Sequence, residues 1–513
     1  MRNDFKLQTF RCSITPLSPL FIGCGEAYTP TDYVVDDGVL YNFRPESVPL
    51  TESLRHKLLD AAKSDSIAAV PAFFYANKQL FSAFAEHAVE VSNAVESTYL
   101  SMVQSRIDRN QNFIFKTMYR QLADGSVAPY IPGSGLKGVI RTSLLDRLSG
   151  TAVQYGKFEA KLLDGDFSNS PFRFLRIGDF LSQGAARMRV ENCSRYRKAP
   201  ENDGSFKRLM SKKCVFVLPA QYRLFQGEIQ IQDAISESEC INPSKCYQSI
   251  EAIFSDLNRF YLARFEEASR QALYQSCRIQ KQPWIKECRQ LLMNLKSEML
   301  SGRIALIRIG GNVGAENLTL RNGSAQILNR QTKKKMQHAS TAWTASVGQD
   351  IMPFGWALLE VNTDADNTPL KNWCSRFYNE AKTANELMLK TRAHKAAYQE
   401  LVQAEAKALA EQQQAEQEAQ QAAEEAEAKM AALSPNLQKV ERLVQDMNAQ
   451  TAIKPGSELY GKVCALLTEA EKWHPDEQKY CAEQIGPLVK KKDMLQGKRA
   501  KEIKATLAKL REA

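Results

Sequence analysis

The first part of the chain alternates apolar and polar residues in the manner of β-strands. Residues 5–45 contain two strand-like runs, FKLQTFRCSITPL and DYVVDDGVLYNF, on either side of the loop SPLFIGCGEAYTP. Asp37-Gly38 lies between two short Val/Leu/Tyr runs, which is a strong signal for a two-residue hairpin turn. The pattern therefore predicts a strand followed by a β-hairpin.

The period then changes to that of helices. Apolar residues recur at three- and four-residue spacing in TESLRHKLLDAAK and in QLFSAFAEHAVEVSNAVESTYLSMVQ, which predicts a helical insertion over about 50–122. A further helix is predicted after the segment IPGSGLKG, where an i,i+4 apolar stripe ends before Gly150. The stripe consists of Leu136, Ile140, Leu144 and Leu148.

Later segments repeat this mixture before the composition changes. Residues 171–232 are strand-like, residues 244–300 are helical, and RIALIRIGGNVGAENLTL and FGWALLEVN supply further strands. After about residue 378 the chain becomes rich in Ala, Gln and Glu, which favours a solvated helical spacer over 379–433. Apolar stripes resume at Ser434, so 434–513 is predicted to form a small helical bundle of three or four helices.

Composition narrows the class of protein. The net charge of +10 suits an acidic partner, with nucleic acid first among them. The eleven cysteines include no C-x-x-C pair, which is typical of reduced thiols in a cytoplasm. The chain begins without the apolar run of a signal peptide and contains no stretch able to span a bilayer. We expect a soluble, cytoplasmic protein with no membrane partner.

The segment IPGSGLKG has the composition of an anion site. Gly133 and Gly135 free the backbone to turn, Ser134 lies near the expected helix N-cap, and Lys137 and Arg141 are one helical turn apart. Together they could bind a phosphate at the positive end of the helix. The alternative is a glycine turn with two solvated cations. The spacing differs from that of a nucleotide-binding P-loop, so ATP is not expected.

A second glycine loop follows a predicted strand. Gly310, Gly311 and Gly314 come after Arg303 and Arg308 in RIALIRIGGNVGAENLTL. Glycines at such positions allow a nucleic-acid backbone to approach closely. By itself the pattern also fits a plain hairpin turn.

Two basic loops strengthen the interpretation as a nucleic-acid-binding protein. RYRKAPENDGSFKRLMSKK (195–213) has seven cations against two carboxylates and interleaves aromatic residues, and NRQTKKKMQH (329–338) adds four cations. Such loops suit single-stranded RNA, whose phosphates need cations and whose bases stack on rings. The alternative is a solvated, disordered loop. The cations that we assign to RNA binding are Arg195, Arg197, Lys198, Arg330, Lys333 and Lys334.

Residue patterns for catalysis or metal binding are scarce. The five histidines form no H-x-x-x-H or H-E-x-x-H pattern, so we predict no catalytic residue, metal or cofactor. The acidic string Glu26, Asp32, Asp36 and Asp37 could indicate a cation site, but two of the four belong to the hairpin turn, which favours the turn interpretation. Asp32 stays open, since it ends a loop rather than a turn. His338, close to Lys334, is the one candidate general base near a predicted RNA-binding loop.

Several motifs, in this order, resemble one family. The strings SPLFIGCGEAYTPTDYVVDDGVLY, YIPGSGLKGVIRTSLL, FRFLRIGD, RIGGNVGAENLTL and PFGWALLEV resemble the RAMP superfamily of CRISPR proteins. The first string is more similar to the fifth subunit of type III-A Csm complexes than to other RAMPs, and the resemblance covers roughly residues 8–365. It implies an α+β fold of two RRM-like (ferredoxin-like) RAMP domains, 1–232 with its helical insertion and 233–378, followed by a helical C-terminal extension.

The resemblance also implies a function. Such a subunit would bind the guide RNA (crRNA) without cleaving it and cap its 3′ end, beside a backbone RAMP subunit and near target RNA. Carried over by position, the residues of the IPGSGLKG segment fall in the RAMP core. Those of the second glycine loop fall on the side that faces the guide.

Two alternatives stay open at this point. One is a metal-independent endoribonuclease that processes guide precursors, with His338 and Lys334 as its only candidate residues. The other is a scaffold whose tail recruits a maturation nuclease. In that case deleting 379–513 should leave assembly intact while changing guide length.

Overall fold

The structure is a computed structural model of the chain, and it describes most of the 513 residues. The described residues are 7–105, 114–117, 119–121, 127–149, 162–163, 170–182, 186–232, 245–321, 327–328, 334–336, 338–362, 365–496 and 499–513.

Strands occur in the described chain between Leu7 and Val361. They are β1 (Leu7–Pro16), β2 (Ala27–Tyr28), β3 (Tyr33–Asp36), β4 (Val39–Asn42), β5 (His87–Val91), β6 (Phe115–Lys116), β7 (Tyr119–Gln121), β8 (Val127–Ile131), β9 (Leu175–Ile177), β10 (Phe180–Ser182), β11 (Met188–Arg197), β12 (Arg208–Val217), β13 (Phe225–Gln232), β14 (Arg278–Ile279), β15 (Gln282–Pro283), β16 (Ile304–Arg308), β17 (Ile327–Leu328), β18 (Lys335–Met336), β19 (Thr341–Val347), β20 (Asp350–Pro353) and β21 (Trp356–Val361).

Helices alternate with these strands and then occupy the C-terminal part alone. They are α1 (Glu52–Ala62), α2 (Ala69–Ala76), α3 (Lys78–Ala83), α4 (Asn93–Ser105), α5 (Gly133–Ser149), α6 (Ile250–Ser269), α7 (Ala272–Gln275), α8 (Trp284–Asn294), α9 (Lys296–Leu300), α10 (Thr368–Arg376), α11 (Ala384–Ala431), α12 (Pro435–Asn448), α13 (Glu458–Ala470), α14 (Pro475–Lys491) and α15 (Ala500–Glu512).

Two sheets dominate the part of the chain before α11, the first antiparallel and the second mixed. The first has the order β16-β21-β1-β13-β10-β8-β7, with β9 also paired to β13, and the second has the order β2-β6-β12-β11-β5-β4-β3, with β19 on β11 and β20 on β19. Each sheet therefore takes strands from both sides of residue 232: β1, for example, pairs with both β13 and β21. The coarse prediction of a mixed α+β protein is confirmed. The domain boundary at 232 does not separate the sheets, and the domain bounds stay a prediction.

The predicted hairpin is confirmed in its detail. β3 and β4 pair antiparallel, with Asp36 opposite Val39. Both turn residues lie in the left-handed region, with φ of 50° at Asp37 and 71° at Gly38. A two-residue turn of this kind matches the twist of the flanking strands, which is why Asp-Gly is favoured there.

Helix α5 confirms the predicted stripe. Leu136, Ile140 and Leu144 are fully buried, and the helix packs against α6 and β9. Gly150, the predicted end signal, lies outside the described residues.

The helical insertion predicted over about 50–122 is wrong where the structure has strands β5, β6 and β7, of which β5 is the longest. His87–Val91 forms strand β5, which pairs antiparallel with β4 and parallel with β11. Its alternating sequence HAVEV is short and lies between alanine-rich helical segments, so periodicity alone favoured helix. The position between two partner strands decides the outcome, since strand formation depends on tertiary context.

The chain divides into two compact units, Met1–Val402 and Gln403–Ala513. Within the second unit, the side chains of 403–429 are exposed along α11. Helices α12 to α15 then bury a core of their own that includes Val440, Val463, Ile485 and Leu510. Among the described residues, no helix combines the length and the hydropathy that crossing a membrane would require.

Candidate RNA interface

The second glycine loop packs against the first loop of the chain. The Gly311 N–H donates a hydrogen bond to the Phe21 carbonyl at 2.7 Å. Gly310 has a φ of 101°, and a Cβ at this position would lie only 2.4 Å from the Phe21 carbonyl oxygen. Glycine is therefore required here by both the backbone conformation and the close approach of the two loops.

Lys212 of β12 joins this loop pair to the second sheet. Its ammonium donates to Asn312 Oδ1 at 2.9 Å. The same nitrogen lies 4.5 Å from the ring centroid of Trp343 on β19 and 5.9 Å from that of Phe21. An ammonium at these distances from an aromatic face is stabilised by the ring quadrupole. Lys212 and Trp343 are both half-buried.

Two buried hydrogen-bond donors beside Lys212 and Trp343 have no acceptor among the described residues. Arg195 lies directly opposite Trp343 in the pairing of β11 with β19. Arg195 Nε and Asn312 Nδ2 are buried, and neither makes a hydrogen bond within the described part of the chain. A buried donor without an acceptor costs about 1–3 kcal/mol. An arriving acceptor, such as a phosphate or base oxygen, would remove that cost.

An ion pair fixes the connection between β11 and β12 to the far end of the glycine loop. Lys198 Nζ and Glu316 Oε1 are 2.5 Å apart, and the same oxygen accepts from the Ala339 N–H at 2.9 Å. Burial alone would raise the pKa of Glu316, but the charge and hydrogen bond of Lys198 hold that pKa below its ordinary value. Lys198 is thus anchored, whereas Arg197 is exposed beside Glu201.

The structure therefore brings together the second glycine loop and the basic segment 195–213, which the sequence analysis treated separately. We name this surface the hairpin face; it consists of Phe21, Arg195, Arg197, Lys198, Lys212, Gly310, Gly311, Asn312, Gly314 and Trp343. Sequence reasoning missed Trp343, Asn312 and Phe21. Trp343 could have been found as a large aromatic in the alternating run TAWTASV that follows the second basic loop.

The start of α5 borders the second glycine loop. Its residues are arranged differently from the predicted anion site. A Cβ on Gly135 would lie 4.0 Å from Ile309 Cδ1, next to Gly310. The helix begins at Gly133, whose N–H donates to Asp179 Oδ1 at 2.9 Å. Ser134 is therefore inside the helix rather than at its cap. A carboxylate of the chain itself already occupies this helix end.

The ammonium of Lys137 is also bound to other groups of the chain. Its ammonium donates to the carbonyls of Phe172 and Leu175, each at 2.8 Å, and burial lowers its pKa. The side chain joins α5 to the segment that leads into β9. Arg141, one turn later, is exposed. Replacing Lys137 would consequently disturb the fold as well as any RNA contact, so Arg141 is the cleaner position for testing binding at this helix.

The remaining predicted residues lie elsewhere. Arg308 is buried in the core, where its Nε donates to the Phe354 carbonyl at 2.9 Å and its guanidinium lies 4.9 Å from the Trp356 ring. Arg303 is exposed at the opposite end of β16 from Gly310, about 20 Å away at the rise of a strand. Lys334 is exposed. Arg330 and Lys333 lie outside the described residues.

The sequence matches one protein family over more than half of its length. The model of the RAMP superfamily matches residues 13–313. The chain belongs to the RAMP superfamily.

Two curated relatives of this RAMP protein carry the same description, "CRISPR system Cms protein Csm5". The protein from Methanocaldococcus jannaschii is 26% identical over 185 residues, 32% of this chain and 41% of that protein. The protein from Streptococcus thermophilus is 28% identical over 156 residues, 28% of this chain and 40% of that protein. The matches thus span only about two-fifths of the length of these relatives. The resemblance to the fifth Csm subunit is confirmed.

Two solved structures also align with the chain. One is a cryo-EM structure of a Csm-crRNA-target RNA ternary complex of a type III-A CRISPR-Cas system, with a TM-score of 0.37 and 14% identity over 69% of this chain and all of that chain. The other is a crystal structure of T. onnurineus Csm5, with a TM-score of 0.37 and 13% identity over 68% of this chain and 99% of that chain.

A polar cavity of about 520 Å³ lies in the first unit, Met1–Val402, and both Asp32 and His87 line it. Asp32, which the sequence left open, accepts hydrogen bonds from the N–H and the hydroxyl of Thr29, at 2.8 and 3.0 Å. Burial raises the pKa of Asp32 to about 6 in spite of these bonds. Burial lowers the pKa of His87 to about 4. Among the described residues, no three His, Cys, Asp or Glu side chains are grouped to hold a metal.

These two pKa values predict opposite pH dependences of stability. The folded chain keeps a proton on Asp32 that the unfolded chain releases, so this carboxyl makes the free energy of unfolding fall between about pH 4 and pH 6. Between about pH 4 and pH 6.5 the imidazole of His87 is protonated in the unfolded chain but neutral in the folded chain. This group therefore makes the free energy of unfolding rise by about 3 kcal/mol as the pH increases over that range.

We therefore expect the wild type to show a shallow pH profile in that range, because the two contributions oppose each other. His87→Gln should become less stable as pH rises from about 4 to about 6, and Asp32→Asn more stable. Urea unfolding at several pH values measures both slopes. Slopes of the same sign in the two variants would contradict the assignment.

Proposed function

We propose that this RAMP protein is a non-catalytic subunit of a type III-A CRISPR effector complex, which binds the crRNA and caps its 3′ end. The proposal includes two RRM-like halves, a cytoplasmic location, and the crRNA, the backbone RAMP subunits and target RNA as partners. The similarity to the two Csm5 proteins supports the choice of complex. Recruitment of a maturation nuclease by the tail stays a prediction.

The observation that carries the proposal is the composition of the hairpin face. A half-buried tryptophan, Trp343, lies beside the Lys212 ammonium, and two buried donors next to them have no acceptor in the described chain. Single-stranded RNA offers what such a surface lacks: bases to stack on the ring, and phosphate and base oxygens for the donors. Guide binding would then depend little on base sequence, because a ring stacks on any base.

The glycine loop gives the reason why an RNA backbone can approach this face. Gly310 and Gly311 carry no side chain, and the loop is fixed by the Phe21 carbonyl rather than free to close over the surface. The fixed loop presents Asn312, in the left-handed conformation with φ of 66°, next to Lys212. A surface prepared in this way needs little ordering on binding.

The test is to tag the protein in its own cell, purify it gently and sequence the RNA that comes with it. We expect short RNAs with a shared repeat-derived 5′ tag, varied spacers and clustered 3′ ends. A strain that lacks the subunit should yield guides with altered 3′ ends. Absence of such RNA, or unchanged 3′ ends in the deletion strain, would refute the capping role.

The nuclease alternative is separated by a second assay. The purified protein is incubated with guide precursor RNA in EDTA, where metal-dependent contaminants are silent. We expect the RNA to stay intact. Defined cuts that disappear in His338→Ala would instead show that the chain is a metal-independent endoribonuclease.

A further inference from the structure

The C-terminal unit has two ends of different electrostatic character. The Ile453 N–H donates to the Lys492 carbonyl at 3.0 Å, and Lys492 Nζ donates to the carbonyls of Asn448 and Gln450. The connection between α12 and α13 therefore lies beside the connection between α14 and α15. We name this end of the bundle the basic end; its exposed cations include Lys454, Lys490, Lys491, Arg499, Lys501 and Lys504.

The charge difference between the two ends is large. Residues 442–462 and 487–504, whose described part forms the basic end, contain ten lysines and arginines against four carboxylates in the sequence. The rest of the bundle, 434–441, 463–486 and 505–513, contains five against seven. Two cations of that other end are paired, Lys439 with Glu469 at 2.6 Å and Lys509 with Glu471 at 3.7 Å.

At the basic end Lys462 pairs with Glu458 at 2.8 Å, but the exposed lysines on either side of the connection between α14 and α15 are not paired with carboxylates within the described chain. Within the described chain, no carboxylate lies at ion-pair distance from Lys490, Lys491, Lys501 or Lys504. Lys490 and Lys491 lie at the C-terminal end of α14, where the helix dipole stabilises positive charge. Arg499, Lys501 and Lys504 lie at the start of α15, where the dipole opposes positive charge. Stability of the helix therefore does not explain the second group.

The surface of the bundle favours a polyanion over a folded protein as the partner. Protein interfaces depend on a few large apolar or aromatic anchors. Among the described residues beyond Leu409, no large hydrophobic side chain is exposed. Attraction to a phosphate backbone needs no such anchor, since it comes from the release of counterions by clustered cations.

We propose that the basic end binds the sugar-phosphate backbone of single-stranded RNA, largely independently of base sequence. The site goes beyond the proposed function, which uses residues of the first unit only. The exposed part of α11 and the residues up to 433 carry seven glutamates against two lysines after residue 402. That segment repels RNA, so binding is confined to the bundle.

The experiment uses the full chain with a labelled, mixed-sequence single-stranded RNA as the probe. The test variant replaces Lys490, Lys491, Lys501 and Lys504 by Gln. The control variant replaces Lys439, Lys472, Lys479 and Lys509 by Gln, so that both lose the same charge from exposed positions of the same bundle. Affinity is measured by anisotropy from about 50 to about 300 mM salt, and photo-crosslinked peptides are identified by mass spectrometry.

The test variant is expected to bind about tenfold more weakly than the control at low salt, with a salt dependence shallower by about 2–3 ions. Crosslinks at 487–504 should be lost in the test variant and kept in the control. Equal affinity and equal salt dependence in the two variants would overturn the proposal. The same result is expected if the basic end binds an acidic protein instead of RNA. Crosslinks at 487–504 without any at the hairpin face would overturn the proposed function and leave this inference standing.

Discussion

Replacing Trp343 by Ala together with Lys212 by Gln is expected to lower the affinity for guide RNA about 100-fold. Stacking of one base on an aromatic ring contributes about 1–3 kcal/mol, and loss of the adjacent cation removes a phosphate contact as well. The ammonium lies 4.5 Å from the ring, so the two residues form one unit and are replaced together. The fraction of purified protein that carries guide RNA, and the Kd for a single-stranded RNA, measure the effect.

The matched control removes a cation and an aromatic ring outside the hairpin face. The Arg187 guanidinium lies 3.9 Å from the ring of Tyr378, and both residues belong to the same unit. Arg187→Gln with Tyr378→Ala should leave the Kd within a few-fold of the wild type. If both double variants lose RNA equally, the hairpin face is not the guide-binding surface.

Gly310→Ala is expected to destabilise the first unit by about 3–5 kcal/mol. A φ of 101° strains any L side chain, and the new Cβ would lie 2.4 Å from the Phe21 carbonyl oxygen. A carbonyl of the backbone cannot move aside as a flexible side chain can, so the glycine loop must separate from the first loop. Urea unfolding measures the loss, and guide binding should fall with it because Asn312 is displaced.

Gly348→Ala separates the two causes. Gly348 also has a positive φ, 65°, but nothing lies within 4 Å of a Cβ built there. This variant has only the cost of the backbone conformation, about 1 kcal/mol. Equal losses in the two variants would mean that contact with the first loop contributes nothing to the stability of the glycine loop.

The two buried donors suggest why the hairpin face is stable without ligand and still prepared for one. Arg195 Nε and Asn312 Nδ2 each cost free energy while no acceptor is present. The surrounding contacts, among them the ion pair between Lys198 and Glu316, hold these donors in place. Functional sites commonly carry local costs that the rest of the fold offsets.

Local sequence determined much of this protein. The Asp37-Gly38 hairpin, the apolar stripe of α5 and the exposed helix after residue 402 follow from rules that act within a few residues. The order of the glycine motifs was sufficient to indicate the RAMP superfamily, since several separate motifs in register are specific.

Tertiary structure decided the rest, because partners distant in sequence set the state of each group. His87–Val91 became a strand since two strands flank it. Lys137 became a link between backbone carbonyls rather than an open cation. Trp343 and Lys212, more than one hundred residues apart, form one surface only when β11 joins β12 to β19. The periodicity of apolar residues predicts which face of one helix or strand is buried. Hydrogen bonds and ion pairs depend instead on which elements contact each other, and those contacts are set by the whole fold.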